Sequence, residues 1–146
     1  MARRIINDAA DFKACMTDIA NAMQEDFVEV LQKLALDAFR SVIRRSPVKS
    51  GYLRHNWDVS VDATPSEQPK SPEGQKKYAP GEFDTGAYSI KFNSIIIIYN
   101  NTEYAIHIEE GTPKMRSQPM VRPTQVQLNL TARKLVTALS KKGYDI

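Results

Sequence analysis

Residues 104–123 read Tyr-Ala-Ile-His-Ile-Glu-Glu-Gly-Thr-Pro-Lys-Met-Arg-Ser-Gln-Pro-Met-Val-Arg-Pro, and the organisation of the chain follows from this stretch. Apolar residues stand at alternate positions up to residue 108 and then meet two glutamates and a Gly-Thr-Pro corner. This pattern predicts an ordered element, either a strand or a short helical turn, that ends at Gly111. Pro123 suits the first turn of a helix, where its missing N–H costs nothing. The stretch therefore predicts a shaped loop that leads into a final helix.

Certain residues of this stretch are predicted to hold the loop in shape. We expect the Glu109 carboxylate to pair with Arg122 or Arg54, and Gly111 to make a tight turn. Tyr104 is predicted to be a core aromatic, as is Trp57 farther up the chain.

A second distinctive stretch, residues 46–57, reads Ser-Pro-Val-Lys-Ser-Gly-Tyr-Leu-Arg-His-Asn-Trp. Its proline ends a helix, and its glycine is free to take a left-handed conformation. This block, followed by Tyr-Ala, Glu-x-Gly-Thr and Pro-x-x-Arg-Pro in the later stretch, resembles the tail-completion and tail-terminator proteins of tailed bacteriophages. The resemblance covers roughly residues 9–142. Its loop-fixing positions are Pro47, Gly51, Trp57, Tyr104, Glu109, Gly111, Arg122 and Pro123.

The resemblance implies a structural protein of the virion neck that is assembled in the host cytoplasm. Such a protein forms a cyclic homo-oligomer, a hexamer or dodecamer, that completes the tail or joins it to the head. Its implied partners are further copies of itself, the head connector or adaptor proteins and the tail tube or sheath proteins. DNA that passes through the ring is an additional, non-specific contact. No catalysis and no cofactor are implied.

The chain has 146 residues, which predicts a single domain over residues 1–146, and a formal net charge of +3. This mild charge permits contact with nucleic acid without indicating it. The only cysteine, Cys15, cannot form an internal disulfide, and the longest apolar run is too short to span a membrane. We therefore interpret the chain as an unprocessed cytoplasmic protein without a membrane segment.

Apolar residues at three- and four-residue steps predict one helix from Asn7 or Asp8 to Arg45. About 37 residues would span about 55 Å, more than the width of a compact domain of this size. The apolar stripe widens from Phe27 onward, so the second half is predicted to be core and the first to pack on another subunit. The alternative is a break at residues 24–26 that divides the helix in two. The candidate interface residues in the first half are Met16, Ile19 and Met23.

Alternation of apolar and polar residues predicts a half-buried strand over residues 57–61 and a second strand over residues 88–92. The isoleucines of residues 95–99 predict a third strand, or a continuation of the second. We expect an α+β fold, in which a long N-terminal helix and a C-terminal helix pack on an antiparallel sheet of three to four strands.

Residues 63–86 are rich in proline, glycine and charge, and predict a flexible loop that does not order itself by burial. Such a loop is either a tolerated insertion or an arm that orders against a neighbouring ring.

Four consecutive isoleucines leave neither face of their strand polar, so its uncovered face or edge is a predicted subunit contact. The loop before the last helix is the other predicted contact. The candidates are Ile95 and Ile97 in the strand, and Lys114, Met115, Arg116 and Met120 in the loop.

Few residues suggest chemistry. His107 and Glu109 would share one face of a strand, which leaves too few ligands for a metal site. Cys15 lies on the predicted apolar side of its helix, and no phosphate-binding glycine loop or nucleophile elbow occurs, so an enzyme is not expected.

The alternative function is a nucleic-acid-binding module that contacts the DNA backbone through scattered basic residues. These form two loose groups: Arg40, Arg44, Arg45, Lys49 and Arg54, and then Lys114, Arg116 and Arg122.

Overall fold

The computed structural model describes residues 9–71, 74, 75 and 77–143, and within this range it leaves some side chains of the two long helices undescribed. The predicted helix caps Asn7 and Asp8 lie outside the described residues. The helices are α1 (Ala9–Arg45), α2 (Tyr52–His55), α3 (Ala105–Glu110) and α4 (Val121–Lys141), with a 3-10 turn at Thr85–Ala87. The strands are β1 (Trp57–Val61) and β2 (Ile96–Asn100). The predicted α+β class, with a long first helix and a closing helix, is confirmed.

The sheet has two strands over the described residues, so the prediction of three to four is wrong. β1 and β2 are antiparallel, with Trp57 opposite Asn100 and Val61 opposite Ile96. Residues 88–92 carry a strand pattern but pair with neither strand, because a turn closed by the Ser94 N–H and the Lys91 carbonyl separates them from β2. Residues 104–108, where a strand or a helical turn was expected, lead into and form part of α3.

α1 is one uninterrupted helix of 37 residues, so the prediction of a single helix is confirmed and the alternative, a break at residues 24–26, is wrong. Its second half supplies core residues, as predicted, including Ala35, Phe39 and Val42. These pack against Trp57 and Val59 on one face of the sheet. The other end of the helix extends beyond this core.

α4 runs antiparallel along α1. Ser41 contacts Thr124 through their hydroxyls at 2.8 Å near one end of the pair, and Lys142 forms a 3.3 Å ion pair with Asp26 near the other. Two apolar residues of α4, Val126 and Leu130, are 62% and 57% exposed. They lie about 160° and about 120° around the helix from Thr124, which faces α1.

The described helices include none that is both long enough and apolar enough to cross a lipid bilayer.

Candidate functional site

The two stretches that carry the resemblance meet in space, and we call their meeting point the junction: Ser46, Trp57, Glu109, Gly111 and Met120. The Trp57 indole N–H donates to Ser46 Oγ at 2.8 Å. Ser46 Oγ lies 2.7 Å from the Val42 carbonyl and 3.1 Å from Met120 Sδ. Since a hydroxyl has one proton, we assign it to the carbonyl, the stronger acceptor. The end of α1, the start of β1 and the entry to α4 are thereby locked together.

Met120 is almost fully buried in the junction, at 1% exposed. Its prediction as an interface residue is therefore wrong. A methionine between two prolines in a polar loop suggests exposure, but here the loop folds inward and the flexible thioether fills the space beside Ser46.

Glu109 caps the N-terminus of α4. Its Oε2 accepts from the N–H groups of Met120 and Val121 at 2.6 and 3.0 Å, and its Oε1 accepts from the Arg122 N–H at 3.1 Å. The first N–H groups of a helix have no acceptor within the helix. Here the Glu109 carboxylate accepts from three of them, and the fourth position is Pro123, which has no N–H to satisfy.

The capping geometry changes the electrostatics of Glu109. Partial burial alone would raise the pKa of this carboxyl, but the three backbone bonds and the Arg122 charge outweigh it and hold the pKa below its ordinary value. The predicted loop-fixing role is correct, although the partners are chiefly backbone N–H groups. Arg54, the other expected partner, instead donates to the backbone carbonyls of Ser46 and Arg44 at 3.0 and 3.3 Å.

Gly111 makes the predicted tight turn. It has φ +80°, and a Cβ there would lie 2.8 Å from the Ser117 nitrogen. Its N–H ends α3 by donating to the His107 carbonyl at 2.8 Å, and the Gln118 N–H returns to the Ile108 carbonyl at 2.8 Å. Residues 112–118 are thus folded back on α3.

The loop at residues 63–86 lies against its own domain at several points. Tyr78 is buried, and its ring packs at a tilt against that of Tyr52, with centroids 5.1 Å apart. Its backbone N–H donates to the Ser50 carbonyl at 2.9 Å. Phe83 is buried against Phe39, with centroids 5.7 Å apart. Composition did not reveal these two anchors, although an aromatic residue inside a polar loop is the signal that could have found them.

Gly51 explains how Tyr78 approaches so closely. It has φ +86°, as predicted, and a Cβ would lie 2.7 Å from the Tyr78 carbonyl oxygen. His55 also holds the loop, with Nδ1 2.9 Å from the Ala79 carbonyl and Nε2 3.0 Å from Ser71 Oγ. The predicted flexibility of the loop in solution stays a prediction.

The predicted interface residues of the sheet are exposed. Ile95 is 67% exposed, Ile97 is 38% exposed, and Phe92 in the preceding turn is 53% exposed. We call these three residues the β2 margin. In the loop before α4, Lys114 and Arg116 are exposed and Met115 is half-buried. Met23 is half-buried, and the side chains of Met16 and Ile19 lie outside the described residues.

One cleft collects basic residues of the first group. It has a volume of about 590 Å³, and its lining includes Phe39, three arginines (Arg40, Arg44 and Arg54) and two acidic residues (Glu82 and Asp84). The described residues contain no cluster of three or more potential metal ligands. His107 and Glu109 lie on a helix rather than a strand, so they do not share a face.

Protein-family models, curated proteins and solved structures yield no match to this chain. The resemblance to phage tail-completion proteins therefore rests on the two sequence stretches alone.

Proposed function

We propose that this protein is a structural subunit of a phage neck, where identical copies form a ring that completes the tail and joins it to the head. The observation that carries the proposal is the β2 margin. Two isoleucines and a phenylalanine are exposed within six residues of the chain, in and just before the edge strand β2 of a two-stranded sheet. Exposed large apolar side chains concentrated in this way on a small domain are typical of a surface that another protein covers.

The junction supports the same proposal in a different way. Its polar groups are satisfied inside the domain, so it supplies a rigid scaffold rather than a binding surface. The two stretches that carry the resemblance would then serve one shared structural purpose, because both shape the entry into α4. A ring subunit needs this rigidity because the error in each contact angle accumulates around the ring.

Partners above and below the ring would contact the loop that includes Lys114 and Arg116, and the loop at residues 63–86. Both basic side chains are exposed on a loop that Gly111 and Gln118 hold in place. Reversing them to glutamate should therefore spare folding and ring formation but weaken head-to-tail joining. Unchanged yields of joined particles from the double variant would exclude this loop as a contact.

Electron microscopy tests the ring itself. The purified full-length protein should form closed rings, and mass spectrometry of intact particles should find it at a fixed copy number, a multiple of the ring size. A protein that shows only single subunits in micrographs and is missing from purified particles would contradict the proposal.

Binding to nucleic acid is the second candidate, because Arg40, Arg44 and Arg54 line one cleft. Glu82 and Asp84 line the same cleft and weaken this candidate, because they lower the local positive potential. A salt titration separates the two functions: a DNA module should bind tightly with a steep salt dependence, whereas a ring subunit should bind weakly.

A further inference from the structure

The outer edge of β2 is an open strand edge. The Asp62 N–H donates to the Ile95 carbonyl at 2.9 Å, which makes these residues a hydrogen-bonded pair at the end of the ladder. Because such pairs alternate in an antiparallel sheet, the backbone groups of Ile97 and Tyr99 face β1, and those of Ile96 and Ile98 point outward. Throughout the described chain, no residue bonds to these outward groups. The edge is therefore a template for another strand.

The chain also contains a strand pattern without a strand. In residues 88–92, Tyr88, Ile90 and Phe92 alternate with Ser89 and Lys91. Tyr88 already has extended backbone angles, φ −117° and ψ 146°. Ser89 is exposed, and no hydrogen bond ties its backbone down within the described part of the chain. This segment is suited to strand pairing and is unpaired.

Asp62 prevents the segment from reaching the β2 edge of its own chain. Its carboxylate accepts from the Ser94 hydroxyl at 2.7 Å and from the Ile95 N–H at 2.8 Å. These two bonds fix the residues just before β2 to the end of β1. Tyr88 packs against Phe83 with ring centroids 5.7 Å apart, and Ile90 packs against the core. The segment is thus held on its own domain instead of extending the edge of β2.

We propose that residues 88–92 of one copy add as an antiparallel strand to the outer edge of β2 in a second copy. This inference rests on the self-association in the proposed function and names the contact that produces it. The donor segment and the acceptor edge are different surfaces of the chain, so the contact is head-to-tail, as closure of a ring requires.

The exposed side chains select one register. Ser89 would exchange backbone hydrogen bonds with Ile98, and Lys91 with Ile96. Tyr88, Ile90 and Phe92 would then lie opposite Tyr99, Ile97 and Ile95, on the face where the isoleucines are exposed. A shift by one residue would place Ser89 and Lys91 against those isoleucines instead.

The size of the contact also favours a second copy. A single added strand buries less than the roughly 1,200 Å² of a stable interface. In a ring, however, every subunit both donates and accepts a strand, so each subunit takes part in two such contacts. Each contact also covers the β2 margin. A separate peptide bound at the β2 edge would form only one such contact.

Strand exchange has a cost within the donor chain. Moving residues 88–92 to a neighbour gives up the packing of Ile90 against the core and the hydrogen bond from the Lys91 N–H to Ser94 Oγ. The backbone bonds and apolar contacts formed with the second copy have to offset this loss.

Amide hydrogen exchange tests the strand directly, measured on the full-length protein below and above the concentration at which it assembles. Exchange at Ile96 and Ile98 should slow at least about tenfold on assembly, while Ile97 and Tyr99, already bonded to β1, change little. Assembly without protection at Ile96 and Ile98 would overturn this inference and leave the ring proposal standing. Failure to assemble at any concentration would overturn both.

Two further experiments test whether residues 88–92 of a second copy are the strand that pairs with the β2 edge. With Cys15 replaced by serine, a Phe92→Cys chain mixed with an Ile95→Cys chain should form a disulfide-linked pair under mild oxidation. The Ser89→Pro variant removes a bonding N–H and should abolish assembly, whereas Ser89→Ala keeps it and should assemble normally. No mixed disulfide, together with normal assembly of Ser89→Pro, would refute the strand exchange.

Discussion

The junction and the β2 margin are opposites within one small domain. At the junction, the carboxylate of Glu109 satisfies three backbone donors, and Met120 is almost completely enclosed. At the β2 margin, isoleucines are exposed beside a strand edge without a partner in the described chain. The difference is between an interior that the chain completes by itself and a margin whose apolar side chains it leaves exposed, as the proposed function requires. Changes at the junction should therefore affect stability, and changes at the margin should affect association.

The largest loss of stability is expected from Met120→Ala. Removing a fully enclosed side chain leaves a cavity beside Ser46, and we expect the free energy of unfolding to fall by about 3 kcal/mol. Urea denaturation measures this change. Val126→Ala is the control, since that side chain is mostly exposed and its loss should cost less than about 0.5 kcal/mol. Equal effects of the two changes would contradict the burial of Met120.

Glu109→Ala should follow, with a loss of about 2 kcal/mol, because three N–H groups at the start of α4 lose a charged acceptor. The neighbouring Glu110→Ala is the matched control and should be nearly neutral, since Glu110 is exposed. Thermal unfolding of both variants distinguishes a specific cap from a general effect of negative charge. A smaller loss for Glu109→Ala than for Glu110→Ala would exclude the cap.

Gly111→Ala should cost about 1–3 kcal/mol from its backbone angles alone, φ +80° and ψ 174°, which only glycine adopts readily. The cost should be higher still because the new Cβ meets the backbone of residue 117. Gly143 also has a positive φ, +95°, but a Cβ there would meet nothing within 4 Å. Gly111→Ala should therefore lower the free energy of unfolding more than Gly143→Ala does, and equal losses would contradict the close approach of residue 117.

The stability of the junction should also depend on pH. The pKa of Glu109 is lowered in the folded protein, so its contribution is fully present above the ordinary value of 4.5 and is lost as the pH falls through the lower folded value. The pKa of Asp62 is lowered as well, through bonds from Ile95 and Ser94, so the wild type alone is not diagnostic. The Glu109→Gln variant should lose less stability than the wild type over this acidic range. Parallel curves of stability against pH for the two proteins would contradict the role of the Glu109 carboxylate as the helix cap.

The smallest effect on stability is expected at the β2 margin. Ile97→Thr keeps the β-branched shape of a strand residue that is already partly exposed, so the free energy of unfolding should change by less than about 0.5 kcal/mol. Self-association, in contrast, should weaken more than tenfold, because a polar group replaces an apolar contact. Concentration-dependent light scattering beside a denaturation curve measures both quantities.

Much of the fold could be predicted because some elements carry their own signals. The period of α1 extends without glycine or proline, and it correctly gives one long helix that ends before Pro47. The alternation from Trp57 to Val61 likewise predicts β1. Short elements were less predictable. Tyr104, Ile106 and Ile108 alternate as in a strand, yet α3 has only six residues, too few for the helical period to show.

The candidate site was partly predictable. The roles of Gly51 and Gly111 follow from local backbone geometry, which the neighbouring residues signal. The capping bonds of Glu109 could not be predicted, because backbone donors are the same for every residue type except proline. Residues 88–92 show the opposite case: their strand pattern is present, but within the part of the chain that the structure describes they pair with no strand.

Sedimentation velocity on the full-length protein tests the central claim most directly, with the wild type, Ile97→Thr and Val126→Ala compared at the same series of concentrations. The account predicts that the wild type and Val126→Ala sediment as one closed oligomer, and that Ile97→Thr sediments as a monomer with unchanged thermal stability. A wild-type protein that remains a monomer at every concentration, or an Ile97→Thr oligomer as stable as the wild type, would contradict it.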